Sequence, residues 1–418
     1  MKNVEKLISE SKNFCILPWI HFHSWPDGRV MPCCVSDSNK PFSKIEKDVS
    51  IIEMMNSEDF KQMRLNMLND KPVEVCQRCY DLETVGVFTL RQGQNGRAME
   101  SVDLVEATND DGSIDKFEMK YMDIRFSNLC NMKCRSCGPS CSSQWAQEFL
   151  ETRGEEITKK YFGISKMVVN SNEDQIFLSK LKSYLKDVKE VYFAGGEIII
   201  TSEHYECLDY WIKNGLTDQV ELNYTTNFSV LRYKDKDLIE YWKKFPRLQI
   251  WASLDAKGDV AEIMRKGTDW EKIVKNIREL KQNVPHAVFQ ITPTISIWNV
   301  FSYPEFFDYL IDNDLIDKNS APRLNICTSP WYANIMILPD SIRKQLEEKY
   351  RDYIFKYCYN QALVANFKVI ENSLKHGGEN KGGILEFKKF NDELDEIRGE
   401  KLIDIVPELN EVYEWAQS

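Results

Sequence analysis

Between residues 118 and 332, short apolar runs alternate with stretches whose apolar positions recur every three or four residues. The short runs predict strands at 120–127, 190–194, 220–225, 248–254, 287–297 and 324–327. Helical spacing fills most of the gaps, as at 270–282, where Ile273, Ile277 and Leu280 share a face. Strand, crossover helix and strand repeated along six strands imply an α/β fold, its parallel sheet curled into a partial, TIM-like (β/α)6 barrel. Chemistry in such barrels belongs to the C-terminal ends of the strands. Beyond Pro339 the pattern turns helical: Leu346, Tyr350, Ile354 and Tyr357 make one buried stripe, 387–398 a second helix, and Pro407-Glu408-Leu409 leads into a closing tail.

The N-terminal part follows a shorter rhythm. Residues 15–23 read as a strand, Pro26-Asp27-Gly28 as a turn and 29–34 as the returning partner, a hairpin with cysteine near each outer end. A helix is expected over 59–69, followed by Cys76-Gln77-Arg78-Cys79. Residues 95–117 are polar around the turn Asn109-Asp110-Asp111-Gly112 and read as a connection. The expected organisation is a small α+β region at 1–94, a linker at 95–117, the β/α core at 118–332 and a helical region at 333–418.

Composition narrows the class. At 418 residues, 43% hydrophobic and 12% aromatic, the chain has enough apolar material for a core and room for two or three domains. Its first residues, MKNVEKLISESKNF, lack the apolar run of a signal peptide, and no apolar stretch approaches the ~18 residues of a membrane span. A cytoplasmic location with no membrane partner is expected. The net charge of −11, without a basic stripe, argues against a nucleic-acid partner. Twelve cysteines in such a chain point to metal or cluster ligation rather than disulfides.

Three of those thiols crowd one loop, Cys130-x3-Cys134-x2-Cys137, directly after the first strand of the core. Three soft ligands can hold three corners of a cuboidal iron-sulfur cluster and leave the fourth metal open; a zinc site with a distant fourth ligand, or buried free thiols, are the other readings. Cys15, Cys33, Cys76 and Cys79 form a second set that can complete a four-thiolate site, as iron-sulfur cluster or as structural zinc, with Cys34, His21 or His23 as alternative ligands. Gly195-Gly196-Glu197 ends the second strand: the glycines admit a close ligand, and the carboxylate can accept from an ammonium group. Thr226-Asn227 ends the third strand and Ser253-Leu254-Asp255 the fourth, polar groups at one barrel edge that double as turn caps. Arg265 follows, and Asn299, Asn325, Cys327 and Trp331 are candidates for the substrate side.

The cysteine loop resembles the signature of radical S-adenosylmethionine (SAM) enzymes, with Ser136 where many members carry an aromatic residue. The resemblance implies that Cys130, Cys134 and Cys137 hold a catalytic 4Fe-4S cluster whose fourth iron is chelated by SAM. Gly195-Gly196-Glu197 resembles the GGE(P) motif that meets the methionine amine, with Ile198 replacing the usual Pro. By the same resemblance Thr226, Asn227, Ser253 and Asp255 contact the SAM ribose and carboxylate, and Arg265 pairs with the carboxylate. The order Cys15, Gly28-x4-Cys33, Cys76-x2-Cys79 resembles the twitch fold, a shortened SPASM domain carrying one auxiliary 4Fe-4S cluster. That domain usually follows the barrel; here it precedes it, as in a subgroup reading FC-x2-PW near the start and CNxKCRxCGP at the loop, which Phe14 to Trp19 and Cys130 to Pro139 match.

What the resemblance implies is reductive cleavage of SAM to a 5′-deoxyadenosyl radical that removes a hydrogen atom from a substrate C–H, fed by an electron donor such as flavodoxin or ferredoxin. A peptide substrate is the first expectation and a sugar, nucleotide or other small metabolite the second. The reading from another class is a non-catalytic zinc or iron-sulfur protein serving structure or electron transfer.

Overall fold

The computed structural model describes residues 4–84, 86–163 and 165–418. They fall into two compact units, the first made of Met1–Leu129, Val168–Asn223 and Lys244–Arg247, the second of Cys130–Met167, Tyr224–Lys243 and Leu248–Ser418. These units cut across the expected segments 1–94, 95–117, 118–332 and 333–418.

In the first unit the hairpin forms around Pro26-Asp27-Gly28. Strand His21–Ser24 runs antiparallel to Arg29–Met31, with His23 opposite Met31, and Arg29–Met31 pairs in turn with Ser43–Lys44. The other edge of His21–Ser24 runs parallel to Tyr121–Ile124, which pairs in parallel with Glu190–Phe193. The hairpin therefore extends the sheet of the β/α series. Two expectations change. The strand expected at 15–23 begins only at His21, because Leu17–Ile20 is one helical turn with Pro18 at its start, where a missing N–H costs nothing. The expected linker at 95–117 contains two short helices: Ala98–Ser101 and Val102–Glu106 bury Ala98, Ser101, Leu104 and Val105, an apolar face too short and too interrupted to stand out among polar neighbours.

Alternation along the strands separates two faces. Phe22 and Phe126 lie against Phe177 of helix Ile176–Leu181, at 5.9 and 6.0 Å between ring centroids. Phe193 meets His204 and Trp211 of helix Ser202–Lys213. His21, His23, Tyr121 and Asp123 consequently share the face away from these helices.

Burial holds His204 neutral, its pKa lowered to about 3; burial and then neighbouring His23 lower His21 to about 4. An unfolded imidazole takes its proton near 6.5, so below that pH the unfolded state binds protons the folded state refuses. The stability these two groups contribute is complete above pH 6.5 and drains as pH falls towards 4, with a limiting slope of about 2.7 kcal/mol per pH unit for two protons. Denaturant midpoints at pH 7 and 5.5 are expected to show it.

In the second unit Leu248–Ala252 runs parallel to Val288–Ile291, and Thr294–Ile295 parallel to Asn325–Ile326. Helix Trp270–Asn283, capped by Asp269, buries Trp270, Ile273, Val274, Ile277 and Leu280. Strands form at all six expected places along the chain, Glu221–Thr226 and Asn325–Ile326 included, but the one expected over 287–297 is broken at Thr292-Pro293 into Val288–Ile291 and Thr294–Ile295, which pair in different sheets. Helices Asp340–Lys356 and Gln361–Lys375 gather Tyr303, Phe307, Tyr350, Tyr353 and Tyr357 around Phe367. Helix Lys381–Arg398 starts six residues before the expected 387, where the Asn380 side chain caps Gly383 N. Among the described residues no helix is long and apolar enough to cross a membrane.

Candidate active site

The backbone of the cysteine loop is held without help from its sulfurs. Ser143, in the first turn of helix Ser143–Phe162, accepts from Cys130 N at 3.1 Å through Oγ and donates to Cys130 O at 3.1 Å. Ser142 Oγ donates to Met132 O at 2.5 Å, and Trp145 Nε1 to Cys134 O at 2.6 Å. From the other side Lys133–Cys134 pairs antiparallel with Arg265–Lys266, and Arg135 N donates to Met264 O. Gly267, at φ +105°, lets that second strand approach: a Cβ there would lie 2.7 Å from Asn131 O. Cys130 and Cys134 are buried and Cys137 is exposed.

The third and fourth strand ends meet this loop. Asn227 Nδ2 donates to Asn131 Oδ1 at 2.9 Å, and Asn131 Nδ2 to Ser229 Oγ at 2.9 Å. Thr226 Oγ1 accepts from Phe228 N and Asn227 Oδ1 from Ser229 N, so both also cap their own turn. Ser253 N donates to Thr226 O at 2.8 Å. Asp255, 2% exposed, accepts from Arg265 Nε at 2.7 Å and from Thr294 N at 2.8 Å, while Asn299 Nδ2 donates to its main-chain oxygen. Arg265 Nη1 reaches to 3.7 Å from Cys134 Sγ. Burial pushes the Cys134 thiol up and the Arg265 guanidinium pulls it back; burial works against the Arg265 charge, but Asp255 and Cys134 outweigh it and keep the guanidinium protonated. Expected as separate contacts, Asp255 and Arg265 form one ion pair facing the loop.

In the first unit Gly196 lies under the approach to the loop. A Cβ on it would stand 2.3 Å from Leu129 O and 2.7 Å from Asn128 C, and Glu197 N donates to Leu129 O at 2.7 Å. Both obstacles are backbone, so Gly196→Ala is expected to displace Asn128-Leu129 and to lower thermal stability, measured by calorimetry on the two proteins. Gly195, at φ +134°, precedes it in a conformation side chains disfavour. Glu197 is buried, with Oε1 accepting from Ile199 N at 3.3 Å in the turn Ile198–Ile200.

The second cysteine set also gathers in this unit. Burial first, then neighbouring thiols, raises each group: Cys76 and Cys79 act on Cys15, Cys34 and Cys15 on Cys33, and Cys33 and Cys79 on Cys76. Cys33 and Cys34 lie in a turn beyond Met31, so strand alternation does not choose between them. His21 and His23 direct Nδ1 to Tyr121 O and Asp123 O instead. Arg91, bonded to Glu83 and to Ser11 O and Phe14 O, supplies a cation near Cys15. Among the described residues no three His, Cys, Asp or Glu side chains stand ready at metal-coordinating positions. The donor set is nevertheless all thiol and soft, and metal binding would displace the protons these thiols now carry.

Of the remaining substrate-side candidates, Cys327 is buried, its thiol raised to about 11 by burial and then Asp255; Asn325 donates to Thr292 Oγ1; Trp331 is exposed. Sequence reasoning passed over Asn131 and Arg135, which lie inside the motif itself. Arg135 is wholly buried and bonds Asn391, Asp395 and Glu400, more than 250 positions away.

Residues 15–80 match the family model of SPASM, an iron-sulfur cluster-binding domain, and that span encloses Cys15, Cys33, Cys76 and Cys79. Similar solved structures include native anSMEcpe with bound AdoMet and Cp18Cys peptide, at 16% identity over 57% of this chain and 60% of that one, TM-score 0.38. Another is Streptococcus suis SuiB bound to S-adenosylmethionine, with 14% identity over 72% of this chain and 62% of that one, TM-score 0.35. The chain thus spans about three fifths of the length of these structures. Among curated proteins none matches.

Proposed function

We propose that the chain is a radical SAM enzyme with an auxiliary iron-sulfur cluster. One observation carries the reading: a loop of three cysteines is met by the end of the third core strand through Asn131–Asn227, and by Arg265, which Asp255 beyond the fourth strand holds beside Cys134. A zinc knuckle or electron carrier has no use for a buried carboxylate-guanidinium pair turned towards its ligands.

In this reading Cys130, Cys134 and Cys137 hold the catalytic 4Fe-4S cluster, and Cys15, Cys33, Cys76 and Cys79 the auxiliary one. Bound cluster and SAM supply reductive cleavage to methionine and a 5′-deoxyadenosyl radical. The chain's residues would seat the SAM: Glu197 would accept from its ammonium with Gly195 and Gly196 giving room, Arg265, oriented by Asp255, would pair with its carboxylate, and Ser253, Thr226, Asn227 and Asp255 would contact the ribose and carboxylate. Burial around Cys130 and Cys134 keeps water from the reacting atoms. A peptide or peptide-like substrate is the proposed class, on the resemblance to twitch and SPASM proteins, with a flavodoxin or ferredoxin as electron donor.

The test is an anaerobic reconstitution followed by dithionite and SAM. About eight irons per chain with 5′-deoxyadenosine formed is the expected result. No 5′-deoxyadenosine, with zinc bound at both sites, would refute the enzyme reading. Glu197→Ala removes one charge-assisted hydrogen bond, worth about 1.5–3 kcal/mol, and is expected to weaken SAM binding about 10- to 100-fold with catalytic-site iron retained. Equilibrium dialysis with labelled SAM measures it.

A further inference from the structure

His21 and His23 are used by nothing described above. They stand two apart on one strand, on the face away from the helices, with rings nearly parallel at 9° and centroids 6.1 Å apart. Both are buried, 2% and 0% exposed. Each Nδ1 lies against a main-chain carbonyl, His21 at 3.0 Å from Tyr121 O and His23 at 2.9 Å from Asp123 O, with Asp123 Oδ2 3.1 Å from the second ring. A carbonyl oxygen can only accept, so both Nδ1 atoms carry the hydrogen. Each Nε2 is then a bare lone pair. Among the described residues neither Nε2 has a hydrogen-bond partner.

Two buried acceptors aligned on one face, both unsatisfied, are rare in a settled core. A way in exists. His21 lies between two residues lining a cavity of about 640 Å³ at the N-terminal ends of the strands: Ile20 precedes it in the chain, and Tyr121 stacks on its ring at 4.4 Å. Beside the rings stand Asp123 and Arg125, whose Nε is 3.6 Å from Asp123 Oδ1; Cys34 acts on Tyr121, the cavity is lined by four basic side chains, Arg97, Lys120, Lys189 and Arg247, and three acidic ones, Glu100, Glu190 and Glu221, and the hairpin strand on the other side places Met31 opposite His23. Carboxylate and guanidinium offset each other, which suits a neutral ligand group.

We infer that His21 Nε2 and His23 Nε2 form a paired acceptor site for a neutral O–H or N–H group of a ligand, reached from this cavity, with Asp123 fixing the tautomer of His23. Naming that ligand as the substrate rests on the radical reading above; the acceptor site itself does not.

The test is a long-range 15N–1H spectrum of the full chain labelled with 15N-histidine, clusters loaded and oxidised, with His21→Asn and His23→Asn each assigning one ring. Should one variant not fold, variants at His204, His286 and His376 assign the chain's other three rings and leave that one by elimination. At pH 7 both Nε2 signals are expected at the position of an unprotonated ring nitrogen. Formamide, which carries N–H, is expected to shift them saturably, and dimethylformamide, which has none, to leave them in place. A proton on either Nε2, no response to formamide, or equal response to both probes overturns the inference. Loss of both signals with one equivalent of Zn²⁺ overturns it too, in favour of a metal site. None of these readings passes through SAM cleavage, so a chain that makes no 5′-deoxyadenosine but shows the acceptor pair sinks the radical reading and leaves the site standing.

Discussion

Replacing Cys130, Cys134 and Cys137 together with Ala is expected to reduce 5′-deoxyadenosine formation to background while about four of about eight irons remain bound. The loop should survive the change, because its grip comes from Ser142, Ser143, Trp145 and Met264 acting on main-chain atoms. Removing the three sulfurs takes away ligands, the 3.7 Å contacts of Cys134 to Arg265 and of Cys137 to Gly138 O, and the packing of buried Cys130 and Cys134 on Met132, so the denaturant midpoint of the metal-free protein should fall while the fold persists. The iron that stays should belong to Cys15, Cys33, Cys76 and Cys79, which sit in the other compact unit. Conversely, Cys76→Ala with Cys79→Ala should halve the iron and leave SAM cleavage measurable. Loss of all iron in the first variant would mean that the two cysteine sets do not act as separate sites.

Much of this was legible in the chain because the relevant signals are local. Six core strands are legible as short apolar runs, and Thr226, Asn227, Ser253 and Asp255 as polar residues at strand ends that face one edge, whereas Arg265 is legible only through the resemblance. What could not be read is pairing across the sequence. Nothing near Asp255 says that it bonds Arg265, and nothing near Asn131 names Asn227 as its partner. Leu17-Pro18-Trp19-Ile20 was misread as strand because a fully buried run has no alternation with which to choose between strand and helix. Within 95–117 the helices Ala98–Ser101 and Val102–Glu106 leave no pattern to read because they bury only a few small and aliphatic side chains. His21 and His23 read from the chain as alternative ligands beside the nearby thiols; what the chain does not tell is that each Nδ1 meets the carbonyl of its parallel partner, Tyr121 or Asp123, one hundred residues on.

Arg135 gives the largest stability effect. Its side chain is fully buried, with Nε donating to Ile263 O at 3.1 Å, Nη1 to Asn391 Oδ1 at 2.8 Å, and Nη2 to Asp395 Oδ1 at 2.5 Å and Glu400 Oε1 at 2.7 Å. This one guanidinium ties the cysteine loop to helix Lys381–Arg398 and the turn after it. Arg135→Ala strands buried acceptors, for which the usual cost is about 3–5 kcal/mol. The lower end applies, because the survivors keep partial partners: Asp395 Oδ2 still accepts from Leu402 N, Glu400 from Lys266, and Asn391 from Trp298 Nε1. Arg135→Lys keeps the charge but offers a compact ammonium to acceptors spread around a planar fork, and is expected to recover less than half of the loss. Combining Arg135→Ala with Asp395→Asn should cost less than the sum of the two, since the second change removes the charge the first leaves unpaired. Denaturant unfolding of the four proteins measures the cycle; additive effects would mean that the loop is held by its backbone contacts alone.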